Sequence, residues 1–298
     1  MKNFITLLLA FFGLFFSATT FLVAGGPVDL VIFSYNRPMQ LYALLESCNK
    51  NIANINQVHL IYRTSSPSYE AGYKKVFQHF PNLIRHHQSS TPKNDFQPFV
   101  LESVFSKSSQ APFVMFAVDD MIMSGGVDLA HCVKALEETN AYAFFLRLGK
   151  NIDQCYMTNT STPVPKGKNL KDDLFFWKFA KSKGDWNYPH SVDMTIYRKK
   201  EIHHFLTTVA YTTPNFLEGY WSNQKNHGPC GICYKRSKVV NIPLNLVNAW
   251  SNRNLNAYQP ADLLRMFQSG LKIDISKYQG LKNRAPHIEQ IPTFIPMG

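Results

Sequence analysis

The stretch "APFVMFAVDDMIMSGG", residues 111–126, decides how this chain is read. Its first eight residues are almost wholly apolar and do not alternate, as expected for a strand covered on both faces in a parallel sheet. The run ends in two carboxylates, Asp119 and Asp120. Side by side at a strand end, two carboxylates repel unless a cation, a sugar hydroxyl or a helix N-terminus relieves the charge. The segment thus fixes an architecture and poses a question of chemistry.

Working outward, the preceding sequence repeats one rhythm. "VDLVIFSY" (28–35) reads as a strand, and "NRPMQLYALLESCNKN" (36–51) as a helix with Pro38 near its start and Leu41, Leu44, Leu45 and Cys48 at helical spacing. "QVHLIYRT" (57–64), "SPSYEAGYKKVFQHFP" (66–81), "NLIRHHQ" (82–88) and "DFQPFVLESVFSKS" (95–108) continue strand, helix, strand, helix up to the stretch quoted above. After it come a helix in "GGVDLAHCVKALEET" (125–139) and a strand in "AYAFFLRLG" (141–149). Beyond Gly149 the rhythm loosens into a loop, a strand and helix in "DWNYPHSVDMTIYRKKEIHHFLTTV" (185–209), and a strand-like "KVVNIPLNLVNAW" (238–250). Alternating elements of this kind predict an α/β fold, doubly wound, whose mostly parallel but mixed sheet carries helices on both faces, with its ligand crevice at the carboxyl ends of the strands. Asp119 and Asp120 lie at such an end.

The 298 residues, 45% hydrophobic and 14% aromatic, suffice for one sizeable core and exclude a disordered chain. A formal charge of +11 with a pI near 9.3 attracts anions, but Lys and Arg are scattered and form no basic run interleaved with aromatics, which argues against a nucleic-acid binder. Residues 1–26 open with Lys2 and an apolar stretch from Phe4 to Ala24, expected to act either as a cleaved signal peptide or as an N-terminal membrane anchor, so the protein is exported or anchored in the secretory pathway. The folded part is then 27–298, with 27–150 and 151–298 as its two portions. Five cysteines are compatible with one or two disulfides, and the Cys230-Gly-Ile-Cys233 pair reads as a local disulfide or as two plain thiols, not as a zinc ribbon.

Two strand ends carry a resemblance. "VIFSYNRPMQLYALLES" and "FVMFAVDDMIM", roughly 80 residues apart, resemble the nucleotide-binding start and the DxD-type metal motif of GT-A fold glycosyltransferases of the family 2 kind. The resemblance covers residues 28 to about 150 well and the remainder loosely. It implies a transferase that moves a sugar from a nucleotide-diphosphate donor to a hydroxyl on a glycan, lipid or protein. On this reading Ser34, Tyr35, Asn36, Arg37 and Asp119 bind the donor, and Asp120, Asp119 and a late histidine, His287, hold Mn²⁺ or Mg²⁺. A general base is implied too: Glu218 in "TTPNFLEGYW" is the first candidate and Asp193 in "HSVDMTIYRK" the reserve. Val118 stands where the first Asp of a full D-x-D would, and Arg63 in "IYRTSS" stands where an acidic residue often reads uracil. The incomplete motif keeps a second reading, a catalytically silent domain of the same fold that binds carbohydrate.

Overall fold

A computed structural model describes residues 27–247 and 252–298; the leader read at residues 1–26 lies outside the described residues. Among the described residues no helix is long and apolar enough to cross a membrane.

The central sheet has nine strands: β1 (Val28–Tyr35), β2 (Ile55–Arg63), β3 (Ile84–His87), β4 (Phe113–Val118), β5 (Ala143–Phe145), β6 (Gly167–Asn169), β7 (Leu174–Lys178), β8 (Thr195–Arg198) and β9 (Cys230–Tyr234). Their spatial order is β6-β7-β9-β5-β8-β4-β1-β2-β3. From β4 to β3 every pairing is parallel. On the other side β8 runs antiparallel to both β4 and β5, and the β7 pairings are also antiparallel, so the sheet is mixed as expected.

Burial on both faces is visible residue by residue. In β1, Val28, Leu30 and Ile32 enter one core, whereas Val31 and Phe33 enter a second core on the opposite face. The period of two sends alternate side chains to opposite faces, and both faces are apolar because helices cover both. The first core takes α1 (Pro38–Asn51), α2 (Pro67–His79), α4 (Leu129–Thr139) and α7 (Pro260–Gln268). The second takes α3 (Pro92–Val104), α5 (Lys199–Thr208) and α6 (Pro214–Ser222). Five of these helices have Pro at the first turn, where the missing N–H costs nothing and the fixed φ suits the helix. Helix α4 is capped by the Asp128 carboxylate, which accepts from the Ala130 N–H at 3.0 Å.

Two sequence expectations change. All five cysteines are free, and Cys230 and Cys233 both lie on β9, where a spacing of three points their side chains to opposite faces. The glycine between them has a packing reason: a Cβ on Gly231 would stand 2.6 Å from the Trp177 ring. Of the strand-like reading of 238–250, the part within the described residues, 238–247, reduces to Val239–Asn241, which pairs with Met121–Met123 outside the main sheet, and 248–250 lie outside the described residues. That small pairing lays the late part of the chain against the segment following Asp120.

Candidate active site

The carboxyl ends of β1 and β4 are neighbours, and they bring the two motifs together. Arg37 donates from Nη1 to Asp119 Oδ1 and to Asp120 Oδ2, each at 3.0 Å. Its Nε donates to Asn245 Oδ1 at 3.0 Å and its Nη2 to the Asn245 carbonyl. The cation that relieves the carboxylate pair is thus a buried guanidinium. Burial alone disfavours its charge, but Asp119 and Asp120 outweigh that and hold its pKa above the ordinary arginine value. Asp119 is buried beneath it and also accepts from Ser34 Oγ at 2.8 Å and from the Tyr35 N–H at 3.2 Å. Burial raises the Asp119 pKa to about 6, and Arg37 counters only part of that.

Asp120 is more open, at 12% side-chain exposure, and its second oxygen accepts from Asn241 Nδ2 at 2.7 Å. Asn241 also pairs through its backbone with His287. The His287 Nε2 is 3.8 Å from Asp193 Oδ2, and its ring stacks on Tyr156 with centroids 5.6 Å apart. Asp120, Asp193 and His287 therefore form a chain of neighbours on one rim.

Asp193 reaches that rim because its segment precedes β8, the antiparallel neighbour of β4. The Met194 N–H donates to the Phe116 carbonyl at 2.8 Å, and the Leu146 N–H to the Met194 carbonyl at 3.1 Å. Met194 itself sits at φ +48°, in the left-handed region that a side chain like Met rarely enters. Such strain persists only where the surroundings over-determine it, and it clusters at functional sites. The flanking backbone is pinned as well: Val192 N–H donates to Glu218 Oε1 at 3.0 Å and Asp193 N–H to Ser191 Oγ at 3.1 Å. The Asp193 carboxylate accepts no hydrogen bond among the described residues. Its pKa is raised by burial, against the pull of His287 and Arg147.

Glu218, on α6, lies beneath this segment. Burial and the charge of Asp193 raise its pKa to about 7. Sequence reading passed over a further member, Arg147, which follows β5 and is 2% exposed. Its Nη1 donates to Asp185, while Nε and Nη2 are buried with no partner among the described residues. Asp185, Asp193 and Glu218 all act on it electrostatically, and its pKa is raised although burial opposes it. The available signal was a charge closing the apolar run "AYAFFLRLG", the same signal that marked Asp119 and Asp120.

The donor set can be tested against a divalent cation. Among the described residues no group of three or more His, Cys, Asp or Glu side chains converges to hold a metal ion. Each Asp120 oxygen, however, carries a single hydrogen bond and keeps a lone pair, and carboxylate plus imidazole suits Mn²⁺. The residues fit an ion bound by one or two protein groups and completed by phosphate oxygens, the common arrangement for Mg²⁺ and Mn²⁺ in phosphate sites. Asp119, whose oxygens accept from Arg37, Ser34 and the Tyr35 N–H, is enclosed and would act on such an ion through Asp120.

No family model matches the sequence. A curated relative, bifunctional glycosyltransferase pgtA of Dictyostelium discoideum, is 26% identical over 194 residues, which cover 59% of this chain and 24% of that protein. The chain thus spans about a quarter of the length of the curated relative it matches. Among solved structures, S. aureus TarS in complex with UDP is similar with a TM-score of 0.48 and 12% identity, covering 71% of this chain and 59% of that one. TarS in complex with UDP-GlcNAc gives a TM-score of 0.42 and 13% identity, covering 71% of this chain and 57% of that one. The sequence relative bears out the resemblance to glycosyltransferases read from the two strand ends.

Proposed function

We propose that this chain is a nucleotide-sugar-dependent glycosyltransferase of GT-A type that delivers a sugar to a hydroxyl acceptor. The observation that supports it most is the meeting of Asp120 and Asp193 on one rim, at the ends of neighbouring strands, with Met194 strained beside them. A divalent ion held by Asp120 and His287 and by the donor's diphosphate would neutralise the charge that develops on the leaving group. Arg37 keeps Asp119 and Asp120 side by side and orients the open edge of Asp120.

In this reading Asp193 is the general base. It takes the proton from the acceptor hydroxyl as that oxygen attacks the anomeric carbon and the bond from carbon to diphosphate oxygen breaks. Asp193 is favoured over Glu218 because its carboxylate accepts no hydrogen bond among the described residues, whereas Glu218 spends Oε1 on the Val192 N–H. Glu218 then supports the segment that carries the base. Arg147 restrains the charge of Asp185, Asp193 and Glu218 together.

Replacing Asp120 by Asn tests the donor side. It is expected to abolish the gain in nucleoside-diphosphate affinity that Mn²⁺ confers, measured by titration calorimetry, while circular dichroism shows an intact fold, because Asn keeps the shape of the side chain and an oxygen that accepts from Arg37 or Asn241. An unchanged Mn²⁺ effect would remove Asp120 from the site.

Glu218→Gln carries a separate expectation for stability. A group whose pKa is raised in the folded state, here from 4.5 to about 7, favours folding fully below its unfolded pKa and loses that contribution as pH rises through 7. The variant should therefore gain Tm relative to the wild type between about pH 5 and pH 8. Parallel Tm curves across that range would show that burial does not govern this carboxyl.

A further inference from the structure

On the other side of Asp119, the ends of β1 and β2 build a second polar surface that the chemistry above does not use. Tyr35 and Arg63 are register partners there, and the Arg63 guanidinium carbon lies over the Tyr35 ring, 4.6 Å from its centroid. Tyr69 stands in the first turn of α2, the helix that follows β2. The loop is clamped: Asn36, at φ +54°, donates from Nδ2 to Ser65 Oγ at 2.7 Å and accepts from the Ser65 N–H at 2.9 Å. Half-buried Arg63 makes no side-chain hydrogen bond or ion pair among the described residues. The nearby acid, Glu70, is engaged by Thr64 at 3.4 Å and by His87 at 3.7 Å.

A flat heterocycle is bound by stacking and read along its edge. The face of an aromatic ring or of a guanidinium plane stacks with any base, so stacking adds affinity without discrimination. The edge is read by Arg63, whose guanidinium offers donors only. Its complement is an edge with two adjacent acceptors, such as N7 and O6 of guanine or N3 and O2 of cytosine. Uracil instead presents an N3–H between its carbonyls, a donor facing donors.

We propose that Arg63 is the specificity-determining residue for the base of the nucleotide donor, held by Tyr35 so that it selects a base with paired acceptors, guanine or cytosine, over uracil. The inference rests on the nucleotide-sugar reading of the same crevice.

Calorimetric titration of GDP, CDP and UDP, each with Mn²⁺, into the full chain tests it. GDP or CDP should bind about tenfold or more tighter than UDP. Arg63→Ala should bring the three affinities together, and Arg63→Lys, which keeps the charge but not the fork, should also lose the preference. Which of GDP and CDP leads identifies the base. UDP binding tightest to the wild type, or a preference that survives in Arg63→Ala, overturns the assignment while leaving the transferase reading in place. If none of the three binds, the nucleotide-sugar reading fails and takes this assignment with it.

Discussion

Asp193→Asn is expected to lower sugar transfer by about 10²–10⁴-fold, the usual size of a lost general base, while nucleoside-diphosphate binding stays near the wild-type value. Asn keeps the shape of the side chain and can still meet His287, but it cannot accept a proton at neutral pH. The contrast with Glu218→Gln makes the assignment specific. Gln keeps an oxygen to accept from the Val192 N–H, so the amide variant of Glu218 should leave the base in place, with a smaller loss in turnover and a change in stability. Transfer and binding measured in parallel on both variants decide between them. Should Glu218→Gln prove the more damaging for turnover, the base is Glu218 and Asp193 is its partner.

Arg37→Met should cost about 3–5 kcal/mol of stability, because it leaves a buried carboxylate pair without its cation. Both charges face that one guanidinium, and Asp119 is almost wholly enclosed. The loss should depend on pH with a defined sign. Without Arg37 the folded-state pKa of Asp119 rises beyond its present value of about 6, so protonation of the folded state relieves the strain. The destabilisation should be largest above pH 6 and shrink as pH falls toward 4. Urea unfolding at several pH values checks both size and sign; a loss under 1 kcal/mol at neutral pH would show that the pair does not depend on Arg37.

The first half of the chain was legible because its physics is local. Apolar runs of strand length, separated by amphipathic helices with proline starts, fix β1 to β4 and α1 to α3 with little ambiguity. The partner of the carboxylate pair was not legible as such. Arg37 was read as a donor-binding residue, and only the juxtaposition of the β1 and β4 ends shows it meeting Asp119 from 82 residues away. The later strands were harder still: β9 is inserted between β7 and β5, and β8 between β5 and β4, orders that no local periodicity encodes. That insertion is what carries Asp193 and Arg147 to the rim. Asp193 in sequence resembled a strand residue, and the positive φ of Met194 that singles it out is a property of the folded backbone. Arg147 was missed because a charge at the end of a three-residue strand carries little weight until its neighbours are known.

The most direct test of the central claim is release of nucleoside diphosphate from a panel of sugar nucleotides in the presence of Mn²⁺, with Asp120→Asn as the control. The account predicts that the wild type hydrolyses at least one donor slowly and that the variant does not. A wild type that cleaves none of them, yet binds immobilised glycans as well as Asp120→Asn does, would contradict it and identify the chain as a silent carbohydrate-binding domain of the same fold.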